Sequence, residues 1–186
     1  MTQTKVIFFN GIFFILFSVI LLLVSPVEKQ VLAAKVTLNK VEVTVEEQGI
    51  RIQTKLKNAF NPDLLEALQS GIPVEFYFQI ELIKKRRFWF NDTLDKEKIL
   101  HNVSYDTLNK HYKFTSNDGK VITTQVTESL DECKEWMQIL KFLLPFSEDI
   151  MEGKGYYYIK VAAESKFSAP GIFRTKWVSS KKFSLN

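Results

Sequence analysis

A mainly β domain, sandwich-like and antiparallel with two accessory helices, is the fold class that this 186-residue sequence predicts. Three observations lead there. From Ala34 onward the dominant apolar period is two, the signature of half-buried strands. Only two stretches carry paired helix start and stop signals. The chain is 46% hydrophobic with a single cysteine, Cys133, so packing rather than disulfides or a cysteine-based zinc site must hold the core.

The N-terminus sets the compartment. "VIFFNGIFFILFSVILLLV", residues 6–24, is an uncharged run closed by Ser25 and Pro26, and it directs export. Two readings stand side by side. The block at 12–24 has the length of a signal-peptide core, with small Val31 and Ala33 marking cleavage after Ala33. Read from Val6, the run approaches the roughly 20 residues of a membrane span and would be an uncleaved anchor. Both divide the chain into an export segment, 1–33, and one extracytoplasmic β-rich domain, 34–186.

The strands follow in order. In "KVTLNKVEVTVEE", Val36 and Leu38 alternate in one phase and Val41, Val43 and Val45 in the other, which places a β-bulge or strand crossing near Asn39 and Lys40. "GIRIQTKL" sets Ile50, Ile52 and Leu56 against Arg51, Gln53 and Lys55. "NPDLLEALQSG" interrupts with a short helix: Asn61 is the N-cap, Pro62 the first helical residue, and Gly71 follows the last turn. "PVEFYFQIEL" then points Val74, Phe76, Phe78, Ile80 and Leu82 inward. Further strands are expected around 99–105, 112–114 and 121–126, with "SNDGK" as a hairpin turn. "SLDECKEWMQILKFLLPF" opens a second helix with Ser129 and Glu132 in capping-box spacing. Leu130, Cys133, Met137 and Leu140 form its stripe until Pro145 stops it. "YYYIKVAAE" and a terminal strand over 173–183 complete the domain.

One stretch asks for explanation beyond packing. "ELIKKRRFWFND" sets Lys84, Lys85, Arg86 and Arg87 against Phe88, Trp89 and Phe90. Extending the inward phase of residues 74–82 would bury Lys84 and Arg86 unpaired, so the strand must end, bulge or reach the rim there. Phe88 and Phe90 are expected to return to the core beyond the kink. Lys84, Lys85, Arg86, Arg87 and Trp89 are the candidate interaction patch, suited to anionic lipid headgroups or an acidic protein surface. Nucleic acid is not an expected partner: the charge of +4 comes from 25 basic and 21 acidic residues spread along the chain, and export removes the usual targets.

Catalytic machinery is thin. His101 and His111 are the only histidines; they could approach across a hairpin, but two imidazoles do not complete a zinc site. There is no GxSxG elbow, phosphate-cradling glycine loop, HExxH motif or acidic calcium loop. No catalytic residue, metal ligand or cofactor is assigned, and Cys133 reads as a small buried hydrophobe.

The order of motifs carries a resemblance. "ALQSGIPVEFYFQIEL", the basic and aromatic "RRFWF", "SYDTLNKHY", the Ser129 helix, "GYYYIKVAAES" and "FRTKWVSSKKFSL" together resemble the bacterial domain-of-unknown-function family 4390, over nearly the whole exported part. The chain departs from that pattern after Glu164, where a proline- and leucine-rich connection is shortened to "SKFSAPGIF". The resemblance implies an exported or membrane-anchored envelope protein, with look-alikes sometimes encoded beside membrane sensor kinases.

The expectation is therefore an immunoglobulin/transthyretin-like β-sandwich, periplasmic or held at the outer face of the inner membrane. It acts as a non-catalytic interaction module for a membrane sensor or other envelope protein. The alternative is a lipid or small-molecule binding domain. Neither reading fixes an oligomeric state.

Overall fold

The computed structural model describes residues 34–86, 90–147, 155–165 and 173–185. Residues 1–33, expected to form the export segment, lie outside the described residues, as do Arg87, Phe88 and Trp89. Among the described residues no helix is long and apolar enough to cross a membrane.

Strands β1 (Thr37–Leu38) and β2 (Glu42–Glu46) both pair antiparallel with β3 (Gly49–Lys57). The register passes from Leu38 opposite Leu56 to Glu42 opposite Gln53, so three residues, Asn39, Lys40 and Val41, stand against two, Thr54 and Lys55. This is the bulge that the phase change in the valines requires, and it delivers Val41 to the core. Thr54 Oγ1 donates to the Asn39 carbonyl at 3.1 Å, and the Asn39 N–H donates to the Lys55 carbonyl at 2.8 Å.

Helix α1 (Pro62–Gln69) has the expected ends. Asn61 Oδ1 accepts the Leu64 N–H at 2.8 Å, and Gly71 takes a positive φ of 85° that a side chain would resist. Helix α2 (Leu130–Gln138) starts as expected, with Ser129 Oγ accepting the Glu132 N–H at 3.3 Å. Its end is a correction. Residues expected to carry the helix to Pro145 instead form strand β8 (Ile139–Pro145), which pairs with β3 from Ile139 opposite Lys55 to Pro145 opposite Gly49. "ILKFLL" satisfies either period, and seven ladder positions on an otherwise open edge of β3 outweigh two more helical turns.

The second sheet runs β10-β9-β4-β5-β6-β7. Its members are β4 (Val74–Lys85), β5 (Asp92–Asp106), β6 (His111–Asn117), β7 (Ile122–Thr127), β9 (Tyr156–Ser165) and β10 (Val178–Ser179), with β11 (Phe183–Ser184) also on β9. All pairings are antiparallel. The turn between β6 and β7 is tied by Asp118 Oδ1, which accepts the N–H groups of Lys120 and Val121, with Gly119 at φ 86°. The single terminal strand expected over 173–183 is broken into a bridge at Arg174, then β10, then β11, each break advancing the register on β9 by one residue. Hydroxyls fill in for the ladder there: Thr175 Oγ1 accepts the Ala163 N–H at 2.9 Å and Ser180 Oγ the Ile159 N–H at 3.0 Å.

One continuous core draws on both sheets and both helices. Ile50, Ile52 and Leu56 of β3 and Leu140 and Leu144 of β8 join Phe76, Phe78, Ile80 and Leu82 of β4 and Ile159 and Val161 of β9. The described residues therefore form a mainly β fold, with antiparallel sheets and two helices on a shared interior.

Candidate functional site

The basic patch forms where β4 leaves the sheet. The β4–β5 register shifts between Leu82 and Ile83, where Leu94 on β5 is left without an opposite number. Lys84 keeps the inward phase but stands at the rim, its Nζ 5.8 Å from the centre of the buried Tyr157 ring. Lys85 is exposed beside Lys182, and the hydrogen-bond-range contact of the two amino groups, together with their like charge, holds the Lys182 ammonium below the usual lysine range. Arg86 pairs with Asp92. Phe90 is 95% exposed, which corrects the expectation that it returns to the core: Lys84 already faces Asp92 across the hairpin, so Phe90 sits on the connecting loop with no sheet beneath it. At this end of β4, Lys84 lies toward Tyr157 on the inward side, Lys85 and Lys182 stand together, and Phe90 and Tyr156 are exposed. Lys182 was not foreseen, because nothing in "SSKKFSL" indicates that β11 returns to the start of β9.

The histidines do not meet. His101 faces Ser116 across the β5–β6 ladder, whereas His111 faces Asp106 at the far end of it. His101 is 4% exposed, wedged edge-on between Phe78 and Phe114 at ring distances of 4.9 and 5.2 Å. Its Nδ1–H donates to the Met137 carbonyl at 3.2 Å, which fixes the tautomer, since a carbonyl can only accept. Burial pushes its pKa down to about 4, so the ring is neutral at pH 7. Burial likewise pushes the Cys133 thiol up to about 12. Among the described residues no group of three or more His, Cys, Asp or Glu side chains could hold a metal ion.

A groove of about 430 Å³ lies between β6–β7 and the α2–β8 junction. His101, Phe114 and Trp136 supply aromatic wall, while Ser116, Thr123, Gln125, Glu135 and Lys141 supply polar groups.

Strand β7 borders this groove and ends the sheet: among the described residues it pairs only with β6. Its sequence, "ITTQVT", has no charge and no proline, the devices that usually guard an edge. Ile122 and Val126 are 67% and 56% exposed, as is Val121 just before them at 58%. The alternation at 121–126 was readable, but which strand would lie at the edge was not.

No curated protein and no solved structure matches the chain. A family model described as Domain of unknown function (DUF4390) matches residues 33–186, and the chain belongs to that family.

Proposed function

We propose that this chain is a non-catalytic protein-interaction module of the bacterial envelope, an immunoglobulin/transthyretin-like sandwich carried outside the cytoplasm by the apolar run at residues 6–24. The observation that carries the reading is the unguarded β7 edge, a strand with no charged side chain whose Ile122 and Val126 are exposed. The basic corner adds a surface for anionic lipid headgroups, since Lys85 and Lys182 bring positive charge together beside exposed Tyr156, with Lys84 at the rim. Partners of the expected chemistry are other envelope proteins, the extracytoplasmic part of a membrane sensor among them.

Two measurements test this. A reporter enzyme active only outside the cytoplasm, fused after Asn186, is expected to be active; activity in a cytoplasmic reporter alone overturns the localisation. A photo-crosslinking residue substituted at Val126 is expected to give protein adducts in intact cells, and their absence removes the interaction reading.

The second reading, a small-molecule or lipid binding domain, draws on the groove. Its mixed lining of Phe114 and Trp136 with Gln125, Glu135 and Lys141 suits a small polar ligand better than an acyl chain. Saturable binding of a ligand that disappears in Trp136→Ala, with the fold intact, would favour it.

A further inference from the structure

We infer that β7 docks against β7 of a second copy of this chain, about a two-fold axis centred on Thr124, so that the two larger sheets continue into one. The inference rests on the interaction-module reading and names the partner for that edge.

The ladder dictates which groups are free. The Asp118 N–H donates to the Val121 carbonyl at 3.3 Å, closing the β6–β7 hairpin. Alternation along an antiparallel pair then turns the amides of Val121, Thr123, Gln125 and Thr127 toward β6 and those of Ile122, Thr124 and Val126 outward. Two identical edges use all three outward residues only when Thr124 meets Thr124 of the second copy. Ile122 then lies opposite Val126 of the second copy, and Val126 opposite its Ile122, giving about six interchain hydrogen bonds. The same register covers the most exposed aliphatic side chains of the strand with one another. Continued past the two strand ends, the same register brings Lys120 toward Glu128 of the second copy. Lys120, two-thirds exposed, touches Glu97 at 3.4 Å within its own chain, and Glu128 is exposed, so both remain available.

Among the described residues the other long edge strands are defended. Strand β2 carries Glu42 and Glu46, β8 carries Lys141 and ends at Pro145, and β10 and β11 are two residues each. A closed two-fold pair also uses up an edge that would otherwise template open-ended association.

The test uses full-length chains in the cells that produce them. Across a hydrogen-bonded pair the Cα atoms lie about 5.5 Å apart, within disulfide reach, so Thr124→Cys is expected to give a disulfide-linked dimer under mild oxidation. Thr123→Cys has its counterpart roughly 8 Å away and is expected to give less than a tenth of that yield. The wild type, with only buried Cys133, controls for background. In the Thr124→Cys background, Ile122→Lys is expected to lower the yield about tenfold. Lys120→Glu is expected to lower it roughly threefold, and adding Glu128→Lys to restore it, because the swapped charges again face each other. Thermal unfolding of each variant separates lost pairing from lost folding. Equal yields at 123 and 124, or no rescue by the charge swap, overturn the two-fold register. Adducts from Val126 to other proteins without any homodimer overturn self-pairing but leave the interaction module standing. No adduct of either kind removes both.

Discussion

Acidification is expected to destabilise the fold through His101 in a definite pH window. In the unfolded chain this imidazole titrates near its ordinary value of 6.5; in the fold burial lowers it to about 4. The unfolded state therefore binds the proton first, and the stability that comes from keeping the ring neutral is complete above pH 6.5 and drains as pH falls toward 4. At 1.36 kcal/mol per pKa unit the loss amounts to about 3 kcal/mol, a large part of the stability of an ordinary domain. His101→Gln removes the titration while leaving an amide able to donate to the Met137 carbonyl. Urea unfolding of both proteins at pH 7, 6, 5 and 4 is the assay. The variant starts lower at pH 7 but falls more gently, because the carboxylates that contribute acid lability, Asp106 and Asp118 among them, are common to both. Parallel curves would refute the argument, since they would mean that His101 meets the proton equally well in the folded and unfolded states.

Gly49→Ala should destabilise by about 2 kcal/mol, because a Cβ there would stand 2.2 Å from the Leu144 carbonyl oxygen, a backbone atom that cannot swing aside; the urea midpoint measures it. Asn61→Ala should cost about 1 kcal/mol by the same measurement, through the orphaned Leu64 N–H. Changing Lys84, Lys85, Arg86 and Arg87 to glutamine should leave the melting temperature nearly unchanged. It should weaken co-sedimentation with anionic vesicles at low salt by ~1 kcal/mol per side chain that faces the lipid, and unaltered sedimentation would discard the lipid-facing role. Cys133 should resist thiol reagents in the native protein and react only on unfolding, as its buried thiol, pushed up to about 12, stays protonated.

What the residues could disclose divides by range. Local chemistry was legible: the Asn61 and Ser129 caps, the Gly71 stop, the Asp118 turn and the bulge after Asn39 each follow from neighbours within a few positions. Residues 139–145 are ambiguous on sequence because their apolar spacing fits both a helix and a strand, and the partner that decides between them, β3, lies some ninety residues upstream in the chain. The same distance effect hid Lys182 beside Lys85. It also hid the exposure of β7: alternation identifies a strand, but position at the end of a sheet is a property of the whole topology.

The pairing of β3 with β8 has a consequence for the order in which the molecule is made. β2 and β3 form a hairpin from adjacent residues, yet the other side of β3 waits for residues 139–145, with β4 to β7 and α2 arriving in between. Until then Ile50 and Ile52 have no neighbour on that flank, and a nascent chain shows a sticky, half-finished sheet for most of its synthesis. Closing so long a loop makes completion of the smaller sheet a slow step. A chain cut before Ile139 would therefore lose more than its last strands: it would leave β3 open on one side, a species suited to capture by chaperones and proteases.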